Sequence, residues 1–297
     1  MAIVKKAIVL RVGEKRKLRL RPSAVLGFLC LLALLAFTSL PLIYLICTAF
    51  KPMDELFVYP PQFFVKNPTL KNFSDLLTSV SSATVPFSRY ILNSVFVSLS
   101  VVAGTILVSS MGAFSLAKYK PPGSNLIFSV VVAVLTFSSF VTTIPSYKII
   151  NDLGLMNSYL ALILPKIAVA YNFFLMKQFM EQFPDEVLEA ARIDGSGESR
   201  IFWTMIMPNV RPAWATLVVL TFVSTWNDYF SPMIYINSQA MRTMPLVLQS
   251  IAGGVGTVAR SGAMAAATFL TIAPTIIVYV FMQKQVMATM AYSGVKG

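Results

Sequence analysis

The segment EVLEAARIDGSGESRIFWTMIMP, residues Glu186–Pro208, lies between two apolar runs and differs from both in composition. It is charged, it carries Gly195 and Gly197, and it ends on proline. Six acidic residues lie between Glu181 and Glu198. An amphipathic helix resting on lipid is one interpretation, but anionic lipid would repel these acids. The glycines also allow a sharp turn and close approach of another backbone, so we favour a protein partner.

The same segment carries the start and stop signals of two short helices. Asp185 can cap the first helix, and Gly195 suits the position just after its end. A second helix can start at Ser196 or Ser199 and stop near Pro208. We therefore predict a helix, a glycine hinge and a second helix.

The composition around this segment indicates a membrane protein. Of the 297 residues, 56% are hydrophobic and 12% are charged, and the mean hydropathy is +0.72. Soluble domains usually carry roughly 25% charged residues. The chain has no histidine, which removes the commonest metal ligand and the usual general base. Cys30 and Cys47 share one apolar run, and we interpret them as free cysteines.

Six apolar runs are long enough to cross a bilayer, which requires about 20 residues per helix. They are Ala24–Thr48, Ile91–Ser115, Leu126–Ser146, Tyr159–Met176, Ala213–Tyr235 and Gly262–Met282. The first follows a basic arm, but it is too long for a signal peptide and no A-x-A-like site follows it. We predict an all-α, polytopic membrane helical bundle of six transmembrane helices over residues 24–283. A basic arm (residues 1–23) precedes it and a tail (residues 284–297) follows it.

Lysine and arginine predict the orientation of this bundle through the positive-inside rule. The first 22 residues carry eight of them. With this arm in the cytoplasm, the inside segments hold 16, the outside segments hold seven, and Lys166 lies within a span. The asymmetry accounts for the net charge of +12 without nucleic acid. It also places both termini and the loop at residues 181–211 in the cytoplasm.

Several spans contain proline, which removes a backbone hydrogen bond and kinks a helix. These prolines are Pro145, Pro165, Pro232 and Pro274. Membrane helices tolerate proline where neighbouring groups or a water-filled cavity satisfy the backbone. The set predicts helices that bend around a pathway.

Lys166 and Asp228 are the charges predicted within spans, where charge marks a pathway or a buried pair. Lys166 lies about 7–8 residues into the fourth span, roughly 10–12 Å at 1.5 Å per residue. Asp228 falls in the outer half of the fifth span, so the two side chains can meet. An ion pair, snorkelling of Lys166 to the surface, and a cation site for an acidic sugar all remain open.

The outer loop Lys51–Arg89 is rich in proline and aromatic residues, as in YPPQFF at Tyr59–Phe64. It is too short for a domain. A lip that packs on an extracellular partner and a purely structural loop are about equally compatible with it.

The charged segment resembles the EAA motif of ABC importer permeases. The shared residues are Glu189-Ala190-Ala191, Gly195 six residues after Glu189, Ile206, and Pro208 nineteen residues after Glu189. Most of the chain is also similar to carbohydrate-type permeases. That similarity lies in Lys51-Pro52, Tyr59-Pro60-Pro61, Pro68-Thr69-Leu70, Asn72-Phe73, Asn93-Ser94, Gly112-Ala113-Phe114, Lys118, Ile144–Pro165 and Trp226-Asn227-Asp228. Residues Gly294–Gly297 resemble the end of the maltose-type short permease subunit.

The resemblance implies a transport subunit of a bacterial inner membrane, not an enzyme. A second, non-identical permease subunit would share the pathway, and a homodimer is the weaker option. A cytoplasmic coupling helix would dock on an ATPase dimer that binds ATP and Mg, and the tail would also touch that dimer. The coupling positions are Glu189, Ala190, Ala191, Gly195 and Pro208, with Glu189 pairing to a basic group. A periplasmic or lipid-tethered binding protein would deliver the solute.

The chain itself contains no P-loop of the G-x-x-x-x-G-K-[ST] kind, so ATP hydrolysis and any cofactor are expected on the partner.

Sugar sites combine aromatic faces with amide and hydroxyl groups. By depth and type, the pathway candidates are Lys166, Tyr171, Asn172, Trp226, Asn227, Asp228, Asn93 and Ser139. The uncharged candidates suit packing better than solute binding, and Lys166 stands where the family leads us to expect an uncharged residue. A polyol or sugar phosphate remains an alternative solute. A membrane-embedded enzyme lacks a catalytic constellation here, and a channel would not need the charged segment.

Overall fold

A computed structural model describes residues 22–80, 85–252 and 261–294, and within these ranges the regular elements are helices. The N-terminal arm before Pro22 and the last residues of the tail lie outside the described residues. The helices are α1 Pro22–Phe50, α2 Met53–Leu56, α3 Lys71–Val80, α4 Phe87–Phe114, α5 Ser124–Val134, α6 Ser139–Asp152, α7 Tyr159–Ile167, α8 Ala170–Glu181, α9 Asp185–Ile193, α10 Glu198–Arg200, α11 Met207–Asn209, α12 Arg211–Trp226, α13 Phe230–Tyr235, α14 Met244–Ala252 and α15 Ser261–Gly294. Two π-helical turns, Ser115–Tyr119 and Ile201–Ile206, extend α4 and join α10 to α11, and Gln239–Met241 forms a 3₁₀ turn.

The chain divides into two compact units between Tyr44 and Leu45, inside helix α1. The first unit contributes the larger part of α1, whose described run Val25–Phe50 has a mean hydropathy of 2.4. The second unit contains the remaining helices and the sites described below.

Three helical segments of the described chain are long and apolar enough to cross a membrane. They are Val25–Phe50, Phe87–Tyr119 and Ser261–Met287. Two bent pairs raise the number to five if each counts as one span: α7 with α8, bent by 43°, and the Glu198–Asn209 segment with α12, bent by 76°. The all-helical, membrane-type fold is thus confirmed, whereas the predicted count of six spans is not.

Breaks in the helices explain the lower count. The predicted third span is interrupted between α5 and α6, where the Thr136 hydroxyl donates to the Ala133 carbonyl at 2.7 Å. The predicted fourth span bends after Ile167, two residues beyond Pro165. The predicted fifth span stops at Trp226 and resumes at Phe230, just before Pro232. Pro274 is different, since α15 continues through it.

Helix α4 is the central packing element, and it contacts α7, α8, α12 and α14. Small residues on its surface allow this close approach. A Cβ added at Gly104 would lie 2.7 Å from Ile167 Cγ2, and one added at Gly112 would lie 2.9 Å from the Phe173 ring. Glycine at these positions therefore sets the distance between helices, as small residues do in membrane bundles.

Two apolar cores lie at opposite ends of α4. At its C-terminal end, Ala113 and Phe114 pack with Met176 and Met180 of α8 and with buried side chains of the Asp185–Asn209 segment. At its N-terminal end, Phe87 packs with residues of α3, α12, α14 and α15. The charged segment is thus built onto the end of the bundle.

The outer loop packs against α15 through one buried amide. The Asn72 Nδ2 atom donates to the carbonyls of Ala49 at 2.9 Å and Lys51 at 2.7 Å. Gly262 of α15 faces this amide, and a Cβ there would lie 2.3 Å from Asn72 Oδ1. The outer loop can pack this closely against α15 only because residue 262 has no side chain.

We predict that Gly262→Ala destabilises the protein. The added methyl displaces Asn72 from two hydrogen bonds, and overpacking of this kind costs about 1–3 kcal/mol of unfolding free energy. Thermal unfolding in detergent micelles measures the effect. Gly27→Ala is the matched control because no atom lies within 4 Å of its added Cβ. Equal melting temperatures for both variants would contradict the packing described for Gly262.

Candidate functional site: a docking helix and a polar cavity

Helix α9 ends on a left-handed glycine, as the sequence predicts. Gly195 has a φ of +80°, its amide donates to the Arg192 carbonyl at 3.0 Å, and the Ser196 amide donates to the Ala191 carbonyl at 2.9 Å. These two bonds form a Schellman motif. No atom lies within 4 Å of an added Cβ, so the backbone conformation and not crowding within this chain requires glycine here.

The predicted capping role of Asp185 is wrong. Pro184 occupies the N-cap position, and Asp185 is the first helical residue. Its carboxylate instead accepts a hydrogen bond from Lys118 Nζ at 2.7 Å, and Lys118 also donates to the Phe183 carbonyl at 2.5 Å. The hydrogen bond from Lys118 holds the pKa of Asp185 below its ordinary value. The charge of Asp185 therefore ties α9 to the π-helical turn after α4.

A second polar contact joins the same elements. The Arg192 guanidinium donates to Glu198 at 2.8 Å and lies 5.4 Å from the ring centre of Tyr119. This hydrogen bond from Arg192, with another from the Tyr119 hydroxyl, lowers the pKa of the Glu198 carboxyl. Both α9 and α10 are thereby fixed to the end of α4.

The predicted coupling residues point in two directions. Leu188 and Ala191 are buried in the core beneath α9. Glu189 and Ala190 are exposed, and they lie beside exposed Val187 and Ile193, the latter 86% exposed. We call Val187, Ala190 and Ile193, which recur every three residues, the α9 stripe. Ala191 thus packs within this chain, and the α9 stripe with Glu189 faces outward.

The second short helix begins at Glu198, between the two predicted starts, and ends at Asn209, one residue beyond Pro208. Pro208 lies in its last turn, after the π-helical turn Ile201–Ile206. The Asn209 amide donates to the Met205 carbonyl at 2.7 Å, which supplies a hydrogen bond near the end of the helix.

A polar cavity of about 650 Å³ opens between α6, α7, α12 and α13. Ligand sites commonly have volumes of about 300–1,000 Å³. Its hydroxyl and amide lining consists of Thr142, Thr143, Ser146, Asn172, Thr221, Ser224, Thr225, Asn227, Ser231 and Tyr235. The cavity borders on the breaks after α7 and α12, and its hydroxyl, amide and charged side chains lie among apolar ones such as Leu162, Leu220 and Ile234.

Lys166 and Asp228 line this cavity and form an ion pair with each other. The Asp228 Oδ1 atom also accepts hydrogen bonds from the backbone amides of Phe230 at 2.9 Å and Ser231 at 3.1 Å. The pair thus bridges α7 to the break between α12 and α13. The predicted meeting of the two charges is confirmed, and Lys166 does not snorkel away from its partner.

Four other pathway candidates have different surroundings. Asn93 is buried, and its amide donates to the Ala240 and Arg242 carbonyls, each at 2.8 Å. Trp226 is buried and donates to the Thr271 carbonyl at 2.9 Å. Tyr171 is exposed and is not among the cavity-lining residues, and the side chain of Ser139 lies outside the described set. Of the eight candidates, Lys166, Asn172, Asn227 and Asp228 line the cavity.

Several lining residues carry a sequence signal that the candidate set omits. Thr221, Ser224 and Thr225 are spaced at i, i+3 and i+4 near the end of α12, and the candidate Asp228 follows just beyond this helix. This spacing puts the three α12 residues on one face of a helix, and that face forms the cavity wall.

Comparison with known proteins defines the class of this chain. Residues 104–286 match the family of binding-protein-dependent transport system inner membrane components. The arabinooligosaccharides transport system permease protein AraQ of Halalkalibacterium halodurans is 30% identical over 286 residues, which cover 93% of this chain and 99% of AraQ. The sn-glycerol-3-phosphate transport system permease protein UgpE of Yersinia pestis bv. Antiqua is 32% identical over 78% of this chain and 83% of its own.

A solved structure has the same fold. It is a bacterial ABC transporter involved in the import of the acidic polysaccharide alginate, with a TM-score of 0.78 and 20% identity. The match covers 92% of this chain and 99% of that one.

The chain therefore belongs to the binding-protein-dependent transport system inner membrane component family. It is a multi-pass, carbohydrate-type ABC permease subunit, a component of transport and not an enzyme. Membership implies an ATPase and a solute-binding protein as partners.

We predict that the Lys166–Asp228 pair is coupled in stability. Lys166→Met leaves the partly buried Asp228 carboxylate without its cation, and Asp228→Asn leaves the Lys166 ammonium without its anion. The double variant removes both charges, so neither is left unpaired. The coupling free energy should be about 1–3 kcal/mol. Thermal unfolding of the four proteins of the double-mutant cycle in detergent measures it. Additive losses would show that the pair contributes nothing to stability.

Proposed function

We propose that this chain is one of two permease subunits that import a sugar or oligosaccharide by alternating access, driven by a separate ATPase dimer. The proposal rests on the two faces of helix α9. The α9 stripe is exposed, whereas the opposite face packs into the same core as α4, α8 and α12. Helices α8 and α12 also contribute side chains to the cavity. A force applied to α9 would reach the bundle because the two share one core.

Helix α9 has the properties of a coupling helix. The α9 stripe is apolar, Ala190 is small, and Glu189 adds an exposed negative charge. Such a surface suits a cleft with an apolar floor and a basic rim on the ATPase. The tail provides a second contact, since α15 continues past the predicted sixth span to Gly294.

We propose six spans with both termini in the cytoplasm. Helices α5 and α6 together make the third span, α7 and α8 the fourth, and α12 and α13 the fifth. The fourth and fifth spans are broken beside the cavity, where polar side chains can satisfy interrupted backbone. A second, non-identical permease would close the remaining side of the pathway, and a binding protein would dock on the outer face.

The chemistry of the cavity favours a hydroxylated solute. Its hydroxyl and amide groups can replace the water around a sugar, and the stacked rings of Tyr147 and Tyr235 lie at 6.2 Å between centres, with Tyr235 in the cavity wall. The arabinooligosaccharide relative supports a carbohydrate by its name.

Lys166 supports an acidic form of this solute, such as a uronate-containing glycan. If Lys166 turns from Asp228 to a solute carboxylate, its ammonium gains that carboxylate as a partner. Asp228 then still accepts hydrogen bonds from the amides of Phe230 and Ser231, so neither charge is left unpaired. The same cation would suit a sugar phosphate, and the relative named for sn-glycerol 3-phosphate favours that second candidate. An ATPase-independent channel or a polyol importer is less consistent with α9 and with the paired charge.

We predict that Ala190→Trp blocks docking. The indole fills the space between Val187 and Ile193, so α9 can no longer enter a cleft. When the tagged chain is purified, the variant should recover about tenfold less ATPase subunit than the wild type. This ratio corresponds to a loss of about 1.4 kcal/mol in binding free energy. Ser199→Trp is the control, because it adds the same bulk at an exposed position outside the α9 stripe. Full recovery of the ATPase with Ala190→Trp would contradict the proposed interface.

We predict that Lys166→Met abolishes uptake of an oligouronate by the assembled transporter and spares ATP hydrolysis. The decisive comparison is Lys166→Met/Asp228→Asn, in which no charge is left unpaired. If Lys166 binds the solute, both variants lose uptake, measured with radiolabelled trisaccharide in proteoliposomes. If Lys166 only pairs with Asp228, the double variant regains uptake and the acidic-solute proposal fails. Uptake of sn-glycerol 3-phosphate and of a neutral arabino-oligosaccharide in parallel distinguishes the candidate solutes.

A further inference from the structure

Helix α4 is held by polar side chains at both of its ends. At the outer end, Asn93 donates to the carbonyls of Ala240 and Arg242, and its Oδ1 atom accepts the Tyr159 hydroxyl at 2.7 Å. The adjacent Ser94 hydroxyl accepts the Met244 amide at 2.8 Å. Two consecutive residues of α4 thus hold the loop that connects α13 to α14.

At the inner end, the π-helical turn after α4 holds α9. The Lys118 side chain is only 2% exposed, and its ammonium is shared between the Phe183 carbonyl and Asp185. Tyr119 contacts Arg192, and Arg192 is paired with Glu198. The segments on both sides of the hinge at Gly195 are therefore attached to α4.

The helix between these attachments is continuous. Phe87–Tyr119 forms one uninterrupted helical segment of 33 residues. Asn93 and Lys118 are separated by about 38 Å at 1.5 Å per residue, which exceeds the roughly 30 Å of a bilayer core. By contrast, α7–α8 is broken at Ala168–Val169 and α12–α13 at Asn227–Tyr229, where a bend can absorb a displacement.

We propose that α4 is a rigid link that moves the outer loop Ile236–Thr243 together with α9, and that Asn93 and Lys118 are the positioning residues at its two ends. The inference rests on the proposed coupling role of α9. It adds that a displacement passes between the inner and outer faces through α4, which is continuous, and not through the two bent helix pairs.

The experiment places a fluorescent probe on the outer loop of the intact transporter. An environment-sensitive dye is attached to Gln239→Cys, an exposed position, after replacement of both native cysteines by serine. The complex that co-purifies with the tagged chain is reconstituted in lipid nanodiscs, and ATP with Mg²⁺ is the probe ligand. The dye emission and the rate of ATP hydrolysis are recorded together.

With wild-type α4, ATP should shift the emission at Gln239→Cys. Asn93→Ala and Lys118→Met should each reduce the shift well below the wild-type value while ATP hydrolysis persists, because each removes the hydrogen bonds that attach one end of α4. Asp185→Asn keeps the Lys118 bond to the Phe183 carbonyl, so it should reduce the shift less than Lys118→Met. Ser94→Ala is a milder outer variant if Asn93→Ala fails to fold.

Ser110→Ala is the matched control. Ser110 is buried on α4, but its hydroxyl donates to the Leu107 carbonyl of the same helix at 3.2 Å, so its loss should leave the shift unchanged. An undiminished shift in the folded Asn93 and Lys118 variants overturns the rigid link. If no ATPase co-purifies with the wild-type chain, the proposed function fails instead, and the two failures are distinguished.

Discussion

In a bilayer every backbone amide and carbonyl must find a partner within the protein, because no water is available there. The helix breaks of this chain meet that constraint with side chains. Asp228 binds the two amides that begin α13, and Thr136 binds a carbonyl where α5 ends. Asp228 thus has a structural role in the cavity wall that is independent of any solute, since it pairs backbone amides at the break between α12 and α13.

The ion pairs of the chain have different structural roles. Of the four described ion pairs, Lys166–Asp228 lies in the cavity, whereas Lys118–Asp185 and Arg192–Glu198 hold the docking segment to the bundle. Exposed pairs contribute little to stability, about 0–1 kcal/mol. The Lys118 pair differs because its ammonium is almost completely buried and also serves a backbone carbonyl. Its contribution is therefore to position α9, and removal of Lys118 would take away a donor to both the Phe183 carbonyl and the Asp185 carboxylate.

Local signals in the sequence predicted local features well. The position of Gly195 follows from helix-ending chemistry, and the meeting of Lys166 with Asp228 follows from depth within antiparallel spans. The break between α5 and α6 could not be predicted in this way, since Leu126–Ser146 is apolar enough for one span. The sequence indicates Asn93 as a solute-binding candidate, because an amide in a span suggests a pathway. Its true partners are carbonyls about 150 residues away, and nothing in the local sequence identifies such a pairing.

The 86% exposure of Ile193 has a consequence for how the complex is made in a cell. Full burial of an isoleucine side chain is worth about 1.5–3 kcal/mol, so an α9 that has met no partner leaves that free energy unrealised. A subunit without its partner exposes an apolar side chain at the end of α9, and chaperones and proteases commonly recognise exposed apolar residues. If the ATPase covers α9 as proposed, subunits made in excess of it keep Ile193 exposed, and we expect their cellular level to follow that of the ATPase.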